Sequence, residues 1–456
     1  MLAKAISCGA PAALRGARAL SSADSSSSSS ITHRLAGRVG TVCLNRPSKL
    51  NALDLPMVRA LRERYDRWVL GGGGDDGGGG PEVACIVMRG AGGKAFCAGG
   101  DVAAVQRACL AGMPAAAAAA GAGSAGSAPG YLPADFFFEE YQLNAIIATM
   151  HARRGVAQIA LWDGITMGGG VGLSVHGRFR VATERTLFAK PETAIGLFPD
   201  VGGTHMLPRL CDVVGGAAAG LYVGLTGVRL RAADCLASGL ATHYVPSARL
   251  AQLDAELARL DDDGSGSGSG SGGRGGAIWE EEALGEMLVR LGGGAAPPEP
   301  EGGALLAPNA DAIRRCFGGG GGAATTTAEE IIERLRAEPG EWAAATLASL
   351  GRMSPTSVKL TIAACARHGK EGLSVSAALE QEYRLSQRCM RPQPHSDFRE
   401  GIRAVLIDKA PASAVWDPPT LAGVTDAHVD AFFAPLESDH PRGELVLPRM
   451  VPLGPR

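Results

Sequence analysis

Two acids stand eight residues apart in PETAIGLFPDVGGT, residues 191–204: Glu192 and Asp200. Between them lie Ile195, Leu197 and Phe198, all apolar. A carboxylate among apolar neighbours loses hydration, and its pKa climbs toward the range useful for acid–base work. The same residue types also suit a pair of capping or salt-bridging acids. Two glycine-rich stretches lie upstream, AFCAGGD at 95–101 and GITMGGGVG at 164–172. Each follows an apolar run and precedes a segment where a helix can start. Lacking a Cβ, glycine lets bare backbone N–H groups approach a ligand closely. Two such donors converging on one carbonyl oxygen make an oxyanion hole, and a helix N-terminus at the second loop adds to it. Taken singly, each loop is equally what a tight strand–helix turn requires.

These loops need elements to hold them. The stretch 37–47, GRVGTVCLNRP, has strand character through Val39, Val42, Cys43 and Leu44, and Pro47 stops it. Asp54 then caps a helix with Pro56 in its first turn, and Val58, Leu61, Tyr65 and Trp68 recur on one face. The apolar runs VACIVM (83–88) and IALW (159–162) read as buried strands, FRVAT (179–183) and TLFAK (186–190) as two more. Asp101 is placed to cap a further helix. Strand, glycine turn and helix in repetition indicate an α/β fold. Residues 328–349, 356–367 and 374–391 show helical periodicity, so the C-terminal part is expected to be mostly helical.

Composition sets the outer bounds. The chain has 456 residues, 65 of them glycine, and a formal net charge of −2, which gives no reason to expect a nucleic-acid partner. Many glycines sit in runs (71–80, 264–273, 318–322), which with the Ala-rich 114–130 read as flexible inserts. The ten cysteines form no CxxC pair and no Cys/His cluster at zinc spacing, as expected of reduced thiols in an intracellular protein without a metal site. No apolar run has transmembrane length, so no membrane partner is expected. Residues 1–30 carry Lys4, Arg15 and Arg18, many Ala and Ser, and one acid, Asp24, and read as an organelle transit peptide. The C-terminal PLGPR carries no peroxisomal signal.

In this order, LNRPSKLNAL, AFCAGGD, GITMGGGVG and PETAIGLFPDVGG resemble the crotonase (enoyl-CoA hydratase/isomerase) superfamily. Within it, ITMGGGVGLSVHGRFRVATE, FAKPETAIGLFPDVGG and EYRLSQRCM…DFREGIRAVLIDK resemble the 3-hydroxyisobutyryl-CoA hydrolases. The resemblance runs from about residue 32 to about 435. It implies an α/β spiral of ββα units with a helical C-terminal part, a mitochondrial matrix location, and an acyl-CoA thioester substrate of valine breakdown. No cofactor is implied, CoA being part of the substrate. Residues 31–260 become the catalytic core with inserts at 71–80 and 111–130, followed by an insert-rich segment, 261–327, a helical part of the same enzyme, 328–436, and a tail, 437–456. The resemblance assigns the oxyanion hole to the N–H of Gly169 and a partner within Ala98–Gly100, with Ala98 and Gly100 as the candidates. It makes Glu192 nucleophile or general base, Asp200 the group that orients water or moves a proton, and Glu140 in FEEYQLN a third substrate-site acid. Lys49 and Lys409 are candidates for the CoA phosphates. Oligomeric state is left open, a homo-oligomer included.

The subfamily follows from one position. Hydratases resemble one another in using two glutamates, one of them three residues after the oxyanion glycine; here that position is Gly172. A departure from the hydrolases also stands out: their third glycine after FPDV is Thr204 here, followed by His205. Two alternatives remain beside the hydrolase. One is enoyl-CoA hydratase/isomerase activity, disfavoured by Gly172. The other is a hydrolase-like structural subunit of the mitochondrial ribosome, which has no need of Glu192, Asp200 and both glycine loops together. Removal of residues 1–30 is expected to abolish organelle import, read by imaging tagged full-length and truncated chains in cells, while leaving the purified enzyme active in a thioester-cleavage assay.

Overall fold

The computed structural model describes residues 29–71, 82–111, 131–265, 279, 281–299, 303–319, 326–370, 372–391 and 396–448. The segment read as a transit peptide, up to residue 28, and nearly all of the tracts at 71–80, 111–130 and 264–273 lie outside the described residues.

Among the described residues, nine strands form two sheets. The larger runs β1 (Ile31–Ala36), β2 (Val39–Leu44), β3 (Cys85–Gly90), β5 (Ala157–Trp162), β7 (Phe179–Ala182) and β9 (His243–Tyr244), in that spatial order. Only β1, antiparallel to β2, breaks its parallel run. The smaller sheet is β4 (Ala95–Cys97), β6 (Ile165–Met167) and β8 (Leu187–Ala189), all parallel. Each of the pairs β3/β4, β5/β6 and β7/β8 therefore gives one strand to each sheet, the winding expected of a ββα spiral. The strands of the small sheet are three residues long. Period-2 reading had little to act on, so β4 and β6 were not anticipated, and neither was β1.

The apolar runs of β3 and β5 reflect burial on both faces. Ile86, Met88, Ala160 and Trp162 enter the main core. Cys85, Val87, Ile159 and Leu161 enter a second layer with Leu253, Leu257, Leu284, Met287, Leu288 and Leu291. Helix α1 (Leu55–Tyr65) starts as expected, Asp54 accepting the Met57 N–H at 2.9 Å. Asp101 accepts the Ala104 N–H at the head of α2 (Val102–Ala111). A 23-residue helix, α3 (Leu132–Arg154), crosses the core and carries Glu140.

The segment 261–327 holds more than linker. Helices Glu281–Gly292 and Ala310–Phe317 each bury an apolar face, the second through Ile313, Cys316 and Phe317. The stretch expected as one helix over 328–349 is two, Ala328–Ala337 and Glu341–Leu350, because Pro339-Gly340 interrupts it. Core residues from Ile31 to Leu447 belong to one apolar cluster, so the helical C-terminal part is packed onto the α/β part.

The tail is also structural. Leu445 and Leu447 are buried, and Arg442 reaches α3, with Nε 2.6 Å from Asp135 Oδ1 and an Nη 2.9 Å from Glu139 Oε1. Arg59 shares Glu139, and the Arg442 guanidinium lies 4.9 Å from the Phe138 ring centroid. Removing one member of a largely buried ion pair strands the other, although Arg59 relieves part of that here. Arg442→Ala should therefore cost roughly 1–3 kcal/mol, read as a lower urea midpoint in equilibrium unfolding.

Candidate active site

The three strands of the small sheet run parallel and end level. Cys97 pairs with Thr166, and Met167 pairs with Ala189. The residues that follow each strand therefore emerge side by side: Ala98-Gly99-Gly100, Gly168-Gly169 and Lys190-Pro191-Glu192. Ligands in α/β sheets collect at the carboxyl ends of strands for this reason.

The first loop is pinned by its neighbours. Asn51, fully buried, donates from Nδ2 to the carbonyls of Ala91 and Ala95 at 3.0 and 2.9 Å. Leu53 brackets Gly100: its N–H donates to Gly99 O at 2.8 Å, and its carbonyl accepts from the Asp101 N–H at 2.7 Å. In extended chain successive N–H groups point to opposite sides, so the Gly100 N–H faces away from Leu53. Among the described residues neither Gly100 nor Gly169 has an acceptor for its N–H. A Cβ placed on Gly169 would lie 3.5 Å from Gly100 N and 2.4 Å from Glu140 Oε1. Both amides thus border one small space, which a side chain at 169 would fill. Ala98 differs, because its N–H is given to Leu50 O at 3.0 Å. Of the two candidates in that loop, Gly100 has the unengaged amide, a distinction that only the Leu50 contact reveals. Cys97 beside the loop is pushed up to about 12 by burial, so its thiol stays protonated and is no nucleophile.

The acids converge here as well. Glu192 opens a 3-10 turn, Glu192–Ile195, and Asp200 lies in the next turn; both are 4% exposed, and Glu140 is 2% exposed. Glu140 is no solvated helical charge. Its Oε1 and the Oε2 of Glu192 have no hydrogen-bond partner among the described residues. Tyr141, next to Glu140 on α3, donates its hydroxyl to Asp200 Oδ2 at 2.9 Å. Burial raises all three carboxyls above their usual range, and Asp200 adds to the rise of Glu140. Glu192 is raised to about 7: burial pushes it up, Lys190 pulls it down, and Asp200 pushes it up again.

Two partners were not anticipated. Lys190 is completely buried, its Nζ 2.7 Å from Glu192 Oε1 and 3.0 Å from the carbonyl of Asp200. Its one sequence signal was a lysine closing an apolar strand. Glu382, on helix Val375–Cys389, accepts from Gly202 N–H at 2.6 Å and Thr204 N–H at 3.2 Å, and is raised to about 8 by burial. It anchors the turn after Asp200, where Val201 takes a φ of +54°, a costly conformation for a β-branched residue. The Thr204 departure is part of this anchor, its Oγ1 meeting His368 Nδ1 at 2.6 Å and Glu382 Oε1. No spacing rule links residue 382 to residue 202. Lys49 and Lys409 are exposed and stand outside the buried cluster.

Gly172 is closed in. A Cβ there would stand 2.6 Å from Val201 Cβ and 3.0 Å from Asn144 Nδ2.

The profile of the family described as enoyl-CoA hydratase/isomerase matches residues 39–433. A protein named 3-hydroxyisobutyryl-CoA hydrolase, mitochondrial, from Xenopus laevis is 42% identical over 407 residues, 88% of each chain. The Homo sapiens protein of the same name is 38% identical, again over 88% of each. Among solved structures, an enoyl-CoA hydratase from Rhodobacter sphaeroides 2.4.1 is 32% identical with a TM-score of 0.67, covering 92% of this chain and all of that one. A carnitinyl-CoA dehydratase from Mycobacterium thermoresistibile is 31% identical with a TM-score of 0.68, covering 91% and 98%.

The contacts around Gly172 set a test. Gly172→Glu must displace Val201 and bury a charge without a partner, so it should cost ~3 kcal/mol or more, measured by thermal melting and soluble yield.

Proposed function

This chain belongs to the enoyl-CoA hydratase/isomerase family and, within it, to the 3-hydroxyisobutyryl-CoA hydrolases, and from that premise we propose that its buried site cleaves 3-hydroxyisobutyryl-CoA into 3-hydroxyisobutyrate and CoA. The observation that carries this reading is the Glu192–Asp200 pair beside two unengaged glycine amides. The absence of room at Gly172 for a second hydratase glutamate supports hydrolysis over hydration.

The chemistry follows from the geometry. The thioester carbonyl oxygen accepts from the Gly100 and Gly169 N–H groups. As its carbon becomes tetrahedral, charge grows on that oxygen, and each preorganised donor is worth roughly 3–4 kcal/mol of barrier. Glu192 supplies the electron pair, either to the carbonyl carbon or to the proton of an attacking water. Asp200, steadied by Tyr141, orients water or returns a proton to the departing sulfur. Glu140 lies against the Gly169 position and faces the acyl group. Lys49 and Lys409 remain candidates for the CoA phosphates at the surface. The mitochondrial matrix, with valine breakdown as the source of substrate, fits the names of the relatives and the basic N-terminal segment.

Glu192→Gln keeps the shape and removes the base. It should lower kcat by roughly 10²–10⁴ with little change in KM, followed as free thiol released from 3-hydroxyisobutyryl-CoA. Because Glu192 works ionised, wild-type kcat should rise with pH through about 7 and level off above it. Near-normal turnover by a folded Glu192→Gln enzyme would remove Glu192 from the mechanism. Crotonyl-CoA hydration faster than thioester cleavage would overturn the choice of reaction.

A further inference from the structure

The proposed chemistry asks Glu192 to be ionised and then to give up its charge, all inside a buried site. Lys190 is the only fully buried lysine among the described residues. Its Nζ touches Glu192 Oε1 at 2.7 Å and the Asp200 carbonyl at 3.0 Å, and Asp200 Oδ1 is a further 3.7 Å contact. One ammonium thus lies between both reacting acids. The other titratable groups around it are Glu140 and Tyr141 from α3, Glu382 from helix Val375–Cys389, and His176, whose Nε2–H donates to the Val201 carbonyl at 2.8 Å. Two of these are carboxyls that burial favours in the protonated form, Tyr141 stays a phenol, and His176 is lowered to about 4 by burial and is neutral. Among the described residues Lys190 is therefore the standing positive charge of the cluster. Burial opposes that charge, but the Glu192 carboxylate at 2.7 Å, foremost of the groups that raise it, holds the ammonium protonated.

We infer that Lys190 is a positioning residue of the hydrolase, an internal counter-ion that keeps Glu192 ionised in the resting site and passes to Asp200 when the Glu192 charge is consumed. This rests on the thioesterase reading above. In the nucleophilic course, Glu192 forms a C–O bond as the C–S bond breaks. The CoA sulfur takes its proton from Asp200, leaving Asp200 anionic beside the same ammonium. Water then gives a proton to Asp200 as its oxygen attacks the acyl carbon, and the Glu192 carboxylate departs back to Lys190. The site carries one balanced ion pair at each stage, which is what a low-dielectric interior tolerates.

The test is Lys190→Met against Lys190→Arg, each assayed for kcat and KM from pH 5.5 to 9.5. Lys190→Met should move the acid limb of kcat upward by at least about one pH unit. Its kcat at pH 7 should fall about 10-fold or more and recover in part above pH 9, with KM within about 3-fold. Lys190→Arg should keep the limb nearer to wild type. A Lys190→Met limb unchanged from wild type, or a kcat lowered equally at every pH, overturns the inference. Stability provides the second readout. Without Lys190 the site acids are raised further, so their contribution to folding is present at low pH and lost as pH rises. The melting-temperature deficit of Lys190→Met should grow between pH 5.5 and 8.5. If the variant fails to fold even at pH 5.5, Lys190 serves packing and the inference falls. If the wild-type chain itself does not cleave the thioester, the functional reading fails first, and the stability comparison still decides the charge role of Lys190.

Discussion

The parallel register of the three-stranded sheet is the constraint on which the site depends. Cys97, Thr166–Met167 and Ala189 lie level across β4, β6 and β8. Because the strands are parallel, all three chains leave on the same side, and two glycine amides and the Lys190–Glu192 pair arrive within one small space. An antiparallel partner would send one of those loops to the opposite end. The spiral winding puts each strand beside its predecessor with a helix or long segment between, so pieces about seventy and twenty residues apart in sequence become neighbours.

Charge is handled by accumulation and compensation. Glu140, Glu192, Asp200 and Glu382 are buried around one lysine, and burial raises each of them. A carboxyl held near pH 7 rather than at its ordinary value of ~4.3 costs folding on the order of 3 kcal/mol once pH exceeds both values. That cost is absent at low pH, grows as pH rises above the ordinary value and is complete above about 7. The large shared core offsets such a cost, and the helical C-terminal part supplies Glu382 as well as apolar surface. Function here draws on stability generated elsewhere in the fold.

Packing at residue 172 leaves no room for a side chain there. Val201 fills the space a side chain at 172 would need, and it does so from a left-handed backbone conformation. The turn is held by Glu382 through the Gly202 and Thr204 amides and by Lys190 through the Asp200 carbonyl. Asp200 and the closed space at Gly172 thus belong to one local arrangement, joined through Val201.

Much was legible in the sequence because it is local. Helix α1 with its Asp54 cap, the buried strands β3 and β5, and helices Pro355–His368 and Val375–Cys389 follow from periodicity and capping over a few turns. Glu192, Asp200 and the glycine loops were recognisable by residue type and order, and Glu140 by resemblance alone. What the sequence could not carry is relation across distance. That Ala98 spends its amide on Leu50, that Lys190 is turned inward onto Glu192, that Glu382 closes on Gly202 and that Arg442 clasps α3 all depend on pairings between segments far apart along the chain. Three-residue strands carry too little pattern to announce themselves, and a charged side chain's burial depends on what packs over it. Residue identity determined which groups were available for chemistry; tertiary packing decided which of them are unengaged, how they are charged, and what they face.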